Sequence, residues 1–234
     1  MVSGEPDSGR QRDYGRDTGD DPEQAEPFAA PFGRQQLGGE RAGDHAAQAE
    51  AEPAHQAAAA SPARMIISTG FAQGINLVLR ALARQGGVTC VAFEDPGYGS
   101  AQADETVRGA LAMGIRVTYL PVDGQGLVAG ELAASGAQAV VVTPAHQSPT
   151  GVVLSPARRQ ALTDWARRSG GYVIEDDYDS EFRYDKEPVG ALQGLAPDQV
   201  FLLGTASKAL APAVRLGWVH APSHLAAAVA AKRR

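Results

Sequence analysis

The chain of 234 residues has one cysteine, three lysines and no long apolar run. The cysteine, Cys90, lies within a short apolar stretch, which excludes a disulfide framework and favours a buried small side chain. No segment approaches the roughly 18 apolar residues that a membrane span needs, and the N-terminus lacks the apolar core of a signal peptide. We therefore expect a cytoplasmic protein with no membrane contact.

Large apolar side chains are scarce in the first 62 residues, where only six occur. The same segment carries 12 acidic residues and 5 arginines, so its net charge is −7 against −6 for the whole chain. Low hydrophobicity with high net charge is typical of disorder. We predict a disordered acidic tail over residues 1–62 and a folded domain over residues 63–234. Because the tail would repel phosphate and no basic stripe follows it, nucleic-acid binding is not expected.

From Arg64 onward, short apolar runs alternate with amphipathic stretches, a pattern typical of a parallel sheet covered by helices. The predicted strands are residues 65–68, 89–93, 116–120, 139–143, 172–175, 200–203 and 217–220. The predicted helices are residues 73–84, 101–113 and 157–168. Ser155 and Pro156 supply an N-cap and a first-turn proline for the last helix, which Gly170 ends.

Lys208 ends the segment Gly204-Thr205-Ala206-Ser207-Lys208, directly after a predicted strand. Arginine supplies most of the other positive charge. An amine can lose its proton and form a Schiff base, whereas a guanidinium cannot. Taken alone, the pattern fits a surface lysine at a helix start equally well.

An acidic cluster, Glu175-Asp176-Asp177-Tyr178-Asp179-Ser180-Glu181-Phe182, follows another predicted strand. Carboxylates at the carboxyl end of a strand face the ligand crevice of α/β folds. The cluster lacks the glycine and the fixed spacing of an EF-hand loop, so a metal site is not expected. The acids are either solvated or serve a ligand site.

Together these two segments resemble fold-type I enzymes that use pyridoxal 5′-phosphate (PLP), and in particular the aminotransferase-like domain of MocR/GabR-type regulators of the GntR superfamily. The resemblance implies an α/β three-layer sandwich with a mostly parallel sheet. It also implies that Lys208 forms the Schiff base with PLP and that Arg215 binds the phosphate. Asp176 would pair with the pyridine nitrogen and Tyr178 with the ring hydroxyl, which makes Lys208, Asp176 and Tyr178 the expected catalytic residues. From the residues alone, Asp177 could not be ranked against Asp176.

The turn Ser68-Thr69-Gly70-Phe71-Ala72-Gln73-Gly74 joins a predicted strand to a predicted helix, where backbone amides favour a phosphate. Its glycines are also compatible with a purely steric role. By the resemblance, the backbone of Phe71 and Ala72 holds the PLP phosphate, with Gln73 near. The resemblance also places Thr205 and Ser207 in the cofactor site.

Two further segments match the same family. The tyrosine of Glu94-Asp95-Pro96-Gly97-Tyr98 would stack on the pyridine ring, although the segment is also typical of a tight turn. In Thr143-Pro144-Ala145-His146-Gln147-Ser148-Pro149-Thr150-Gly151, Ser148 stands where ordinary class I aminotransferases have an asparagine that touches the ring hydroxyl. We expect Ser148 in the site without that amide contact, and we expect a structural role for His146.

Three functions remain open at this point. The domain could transaminate a small amino acid or amine; it could sense PLP and an amine within a MocR/GabR-type regulator; or it could be a non-functional remnant. The acidic residues 1–62 stand where such regulators have a basic winged helix, and the family's small domain, with its arginine for the substrate carboxylate, has no counterpart before Arg234. The resemblance further implies a homodimer. The sequence does not identify the substrate.

Overall fold

The computed structural model describes residues 61–97, 105–178, 190–206, 213 and 215–231. Within them, the strands are β1 (Met65–Ser68), β2 (Cys90–Asp95), β3 (Arg116–Asp123), β4 (Gly126–Leu127), β5 (Ala139–Val142), β6 (Tyr172–Asp177), β7 (Val200–Thr205) and β8 (Gly217–His220). The α-helices are α1 (Phe71–Gln85), α2 (Glu105–Ala112), α3 (Leu132–Ser135), α4 (Pro156–Ser169), α5 (Leu192–Leu195) and α6 (Ser223–Ala231). Short 3-10 turns lie at Pro62–Arg64 and Ala129–Glu131.

All eight of these strands form one sheet in the order β1-β8-β7-β6-β5-β2-β3-β4. The neighbours from β7 to β3 are parallel, whereas β8 is antiparallel to both β1 and β7, and β4 is antiparallel to β3. Strand β1 therefore runs in the same direction as β7. As a result, the carboxyl ends of β1, β2, β3, β5, β6 and β7 lie along one edge of the sheet.

Helices cover both faces of the sheet. One buried core joins the sheet to α1, α2 and α6 and includes Ile75 and Leu203; the other joins it to α3, α4 and α5 and includes Leu162. Because side chains alternate along a strand, Val173 and Ile174 of β6 enter opposite cores. The predicted α/β three-layer sandwich with a mostly parallel sheet is confirmed.

Every predicted strand occurs, but several extend further at the carboxyl edge than predicted. Strands β1 and β8 have the predicted bounds, whereas β6 continues to Asp177 and β7 to Thr205. The strand predicted at residues 89–93 lies at Cys90–Asp95. At the end of β2, for example, Glu94 is buried with hydrogen-bond partners, which a pattern of apolar residues does not reveal.

The helix predicted at residues 157–168 also occurs with its predicted signals. The Ser155 side chain accepts a hydrogen bond from the Arg158 backbone N–H, Pro156 occupies the first turn, and Gly170 ends the helix at a φ of 69°. Such a left-handed residue suits glycine. The alanine-rich α6 was not predicted, because its sequence lacks an alternation of apolar and polar faces.

Several predicted features lie outside the described residues. They are residues 1–60 of the acidic tail, residues 101–104 of the second predicted helix, and the site residues Tyr98, Ser207 and Lys208. In the part of the chain that the structure describes, no helix has both the length and the apolar character needed to cross a bilayer.

Candidate functional site

The predicted site residues that the structure describes collect at the carboxyl edge of the sheet. Ser68 of β1 and Thr205 of β7 both lie opposite Gly217 at the start of β8. On the next strand, Asp176 lies opposite Leu203 and Asp177 opposite Gly204. Four segments that are far apart in sequence therefore meet at one place.

The N-terminus of α1 lies against this edge because two glycines allow close backbone contact. A Cβ atom on Gly217 would lie 2.8 Å from the Gly70 Cα, and Gly70 has a φ of 112° that favours glycine. The Ser68 hydroxyl donates to the Gly70 carbonyl at 3.1 Å. The first turn of α1, with Phe71 and Ala72, therefore begins directly above the start of β8.

Gln73 has a local role in this turn. Its side-chain Oε1 accepts a hydrogen bond from the Thr69 backbone N–H at 2.8 Å. This contact caps the turn from within and fixes the entry into α1. The helix begins at Phe71, two residues before the predicted start. Phe71 and Ala72 are thus first-turn residues, where backbone N–H groups and the helix dipole favour an anion.

Arg215 joins the same region through the turn between β7 and β8. The Leu216 carbonyl accepts hydrogen bonds from the Ala206 backbone N–H at 2.9 Å and from the Thr205 hydroxyl at 3.3 Å. Arg215 is exposed and has a φ of 51°, an uncommon backbone conformation for a residue with a side chain. These contacts of the adjacent Leu216 place the backbone of Arg215 near Thr205.

The two adjacent aspartates have different environments. Asp176 lies opposite Leu203 and two residues after Ile174, and both of those apolar residues belong to the core beneath α1. By strand alternation, Asp176 is on the α1 face, while Asp177 is on the α4 face. Only 2% of Asp176 is exposed, whereas Asp177 is partly exposed. The geometry distinguishes the two carboxylates that the residue pattern alone left unranked.

Tyr178 is attached to the loop that carries Ser148. Its hydroxyl donates to the His146 carbonyl at 3.0 Å, and the two rings stack with centroids 6.1 Å apart and planes at 19°. A Cβ on Gly151 would lie 3.1 Å from the His146 Nε2, so glycine leaves room for that ring. His146 therefore has a packing role against Tyr178, as expected.

Glu94 is a buried residue of this region to which we assigned no role from the sequence. Its Oε2 accepts hydrogen bonds from the Thr143 backbone N–H at 3.1 Å, the Thr143 hydroxyl at 2.7 Å and the Gln147 amide at 3.4 Å. Burial raises the pKa of Glu94, and these donors oppose that rise. The only signal in the sequence was an acid at the end of a buried strand.

Glu175 is a second buried carboxylate on the α4 face. Its two oxygens accept the backbone N–H groups of Leu192 and Gln193, each at 3.0 Å, and so cap the start of α5. Burial is the largest cause that raises its pKa to about 7, while those N–H groups and the charge of Arg159 act to lower it. The guanidinium of Arg159 is also buried and donates to the Gly190 carbonyl. Glu175 therefore stabilises the domain from the face opposite Asp176.

We expect Glu175 to make folding stability depend on pH. Its pKa of about 7 in the folded chain exceeds the ordinary value of 4.5, so the folded state binds the proton more tightly. Its contribution to the unfolding free energy is therefore greatest below pH 4.5 and is lost as the pH rises towards 7. A shift of this size corresponds to roughly 3 kcal/mol.

Urea unfolding of the wild type and Glu175→Gln between pH 4.5 and 8 measures this effect. The difference in unfolding free energy between the two proteins should change by up to about that amount across the range, since the variant cannot titrate. Glu131→Gln, at an exposed carboxyl, is the matched control and should run parallel to the wild type. Parallel profiles for Glu175→Gln would contradict the prediction.

The described residues offer no group of three or more metal-ligating side chains. They do offer two kinds of binding group. The first turn of α1, Thr205 and the Arg215 guanidinium are groups suited to a phosphate. The buried Asp176 carboxylate suits a protonated ring nitrogen. This chemistry fits PLP, whose phosphate and pyridinium carry opposite charges.

Comparison with known proteins identifies the family of the chain. The family described as "Aminotransferase class I and II" matches residues 39–234. The chain belongs to the aminotransferase class I and II family. PLP binding is implied by membership of this family, and the aminotransferase domain includes all the described elements of the sheet.

Among curated relatives of this aminotransferase domain are two transcriptional regulators. The HTH-type pyridoxine biosynthesis regulator PdxR of Corynebacterium glutamicum is 37% identical over 172 residues, which cover 74% of this chain and 36% of PdxR. The HTH-type regulator TauR of Rhodobacter capsulatus is 35% identical over 176 residues, which cover 75% of this chain and 35% of TauR. The aminotransferase domain thus spans about a third of the length of these relatives.

A solved structure with the same fold is the α-aminoadipate aminotransferase LysN from Thermus thermophilus. The TM-score is 0.66 at 22% sequence identity, and the match covers 75% of this chain and 45% of LysN. At this identity the likeness shows the fold alone. The fold is that of an aminotransferase large domain, as the sequence resemblance implied.

Proposed function

We propose that the chain is a PLP-binding aminotransferase-like domain that attaches its cofactor as a Schiff base on Lys208 and reacts with an amino compound. The observation that carries this proposal is the shared location of three features at the sheet edge: the α1 N-terminus, the exposed Arg215 and the buried Asp176. Lys208 follows Thr205 by three residues in the sequence.

Each described residue has a physical role in this proposal. The backbone of Phe71 and Ala72, with Thr205 and Arg215, would hold the phosphate by amide hydrogen bonds and charge. Bound PLP supplies an electron sink for carbanion chemistry. The Asp176 carboxylate would keep the ring nitrogen protonated, because a buried carboxylate is stabilised by an adjacent positive charge.

The remaining residues would orient the ring and move protons. Tyr178 and Ser148 lie on linked segments and would contact the ring hydroxyl, and Tyr98 would cover one face of the ring. Gln73 supports the phosphate turn through its contact with Thr69. The amine of Lys208 would take a proton from the α-carbon of the substrate and pass it on to the bound cofactor.

A second function is favoured by the regulators among the relatives. The domain would then act as a sensor. It would bind PLP and an amine without completing turnover, and its output would be a change of conformation and not a released product. The match covers only 36% of PdxR. A regulatory activity like that of the longer relatives is therefore proposed here and does not follow from the match itself. We also propose that residues 63–234 form the cofactor domain, that the acidic residues 1–62 precede it in the sequence as a tail, and that the domain works as a homodimer.

A PLP titration of the purified chain tests the proposal. We expect a visible absorption band on addition of PLP, its loss on reduction with borohydride, and a reduced adduct that peptide mapping assigns to Lys208. Addition of amino-acid and amine donors, each with a keto-acid acceptor, then separates catalysis from sensing, because only catalysis gives repeated turnover. A folded chain without any adduct would contradict PLP binding.

A further inference from the structure

The Glu94 carboxylate is the centre of a buried polar cluster that links two loops of the candidate site. We call it the Glu94 cluster, and its members are Glu94, Thr143 and Gln147. Glu94 is 5% exposed, Thr143 1% and Gln147 1%. Such polar groups would be costly in the interior without partners, and here they are partners of one another. The cluster therefore holds its members in one arrangement.

The Glu94 cluster fixes the backbone of Ser148 on both sides. The Ser148 N–H donates to the Thr143 hydroxyl at 3.2 Å, and that hydroxyl donates to Glu94 at 2.7 Å. The Ser148 carbonyl accepts from the Gln147 amide at 2.8 Å. Ser148 is thus connected to the carboxylate chiefly through the Thr143 hydroxyl, because the Gln147 amide is 2.8 Å from its carbonyl acceptors and 3.4 Å from Glu94.

The same cluster reaches the segment that leads to Tyr98. The Gln147 amide also donates to the Pro96 carbonyl at 2.8 Å. A Cβ on Gly97 would lie 2.5 Å from the Glu94 carbonyl oxygen, so the turn after β2 is tight at this point. The oxygen of the Gln147 side chain accepts from the Thr150 backbone N–H at 3.1 Å and so closes the loop beyond Ser148.

We propose that Glu94 is a positioning residue of the cofactor site, which sets the location of Ser148 through Thr143 and Gln147. This inference rests on the proposed function. Ser148 is shorter than the asparagine that ordinary class I aminotransferases have at this place, so its contact with the ring hydroxyl depends strongly on where the backbone lies. We call the chain of hydrogen bonds from Glu94 to the Ser148 backbone the relay. Hydrogen bonds to an ionised carboxylate are stronger than those to a neutral amide, so Glu94 holds this backbone more firmly than a neutral residue would.

Glu175 provides a matched control within the same chain. Both carboxylates are buried and both accept backbone N–H groups. Both also lie on the α4 face, because Ala92 and Val173, two residues before them, belong to the core that includes α4. Glu175, however, caps the start of α5, whereas Glu94 bonds to the loop that carries Ser148. Glu175→Gln must also lose one acceptor, because its two oxygens each accept an N–H group. It is therefore expected to reduce stability more than Glu94→Gln.

The first experiment compares Glu94→Gln with Glu175→Gln in the full chain. We expect Glu94→Gln to weaken PLP binding about tenfold and to shift the visible absorption maximum of bound PLP, because the relay to Ser148 becomes neutral. Glu175→Gln should change PLP affinity less than about threefold even though urea unfolding shows the larger loss of stability. Equal losses of affinity in the two variants would overturn the proposal.

A second pair of variants tests the relay without changing Glu94. Thr143→Val removes the hydroxyl that joins Ser148 to the carboxylate, and Thr143→Ser keeps it. We expect about a tenfold loss of PLP affinity for the valine variant and recovery to near the wild-type value for serine. Equal affinities of the two variants would overturn the proposal even if Glu94→Gln failed to fold.

A double-mutant cycle with Ser148→Ala identifies the endpoint of the relay. If Glu94 acts through Ser148, Glu94→Gln should cause little further loss of affinity in the Ser148→Ala background. Additive losses would overturn this path. Failure of the wild type to bind PLP would overturn the proposed function and this inference together, whereas wild-type binding with equal Glu94 and Glu175 effects would overturn this inference alone.

Discussion

Lys208→Ala is expected to reduce the borohydride-stable PLP adduct to background. The imine forms only with an amine that can lose its proton, and the chain has just three lysines, so the assignment can be tested completely. Mass spectrometry of the reduced, digested protein measures the adduct on each lysine. We expect all specific labelling of the wild type on Lys208 and none in the variant.

Three controls make this result decisive. Lys186→Ala and Lys232→Ala remove the other two lysines and should leave the adduct unchanged. Lys208→Arg keeps the positive charge but cannot form an imine, so it should behave like Lys208→Ala. A stoichiometric adduct in Lys208→Arg would show that the cofactor is attached elsewhere, and the proposed function would then need another lysine.

Asp176→Ala is expected to weaken PLP binding about a hundredfold. Asp176 is 2% exposed and lies on the α1 face, where the proposed phosphate-binding turn begins. Removing one partner of a buried ion pair costs roughly 3 kcal/mol or more, because the other charge is left without compensation. That loss corresponds to about a hundredfold in affinity. Titration of the apo chain with PLP, followed by visible absorbance, measures it.

Asp177→Ala is the matched control for this prediction. The two residues are adjacent and have the same side chain, but Asp177 is partly exposed and lies on the α4 face. We expect less than about a threefold change for Asp177→Ala, since exposed charges contribute little. Asp176→Asn keeps the shape without the charge and should resemble Asp176→Ala. Equal effects at the two positions would refute the assignment, and urea unfolding of each apo variant separates affinity from stability.

The local sequence contains most of the information about the secondary structure. Apolar runs predict β1 and β8 with their observed bounds, and Ser155, Pro156 and Gly170 correctly mark α4. These features depend on interactions between near neighbours, which a linear pattern records. The carboxyl ends of β2 and β6 were predicted too short because both ends contain polar residues. Glu94 of β2 is buried against partners that are distant in the sequence.

In the candidate site, too, local motifs could be predicted from the sequence and contacts between distant residues could not. The segments that resemble the PLP family could be found in the sequence, since each is a contiguous motif. The separation of Asp176 from Asp177 could not be derived from the residues alone, because it depends on which face of the sheet α1 covers. The role of Glu94 was also missed, since Thr143 and Gln147 lie 49 and 53 residues away from it in the chain.

The sequence by itself therefore determined the α/β class, the positions of the main strands along the chain and the family. Strand alternation, caps and contiguous motifs are local properties, so they can be recognised in the sequence before the fold is known. Only the tertiary structure decided which carboxylate faces α1, which one caps α5 and which one holds the Ser148 loop. Those outcomes depend on the order of strands in the sheet, because burial and hydrogen bonding join residues that the chain keeps far apart.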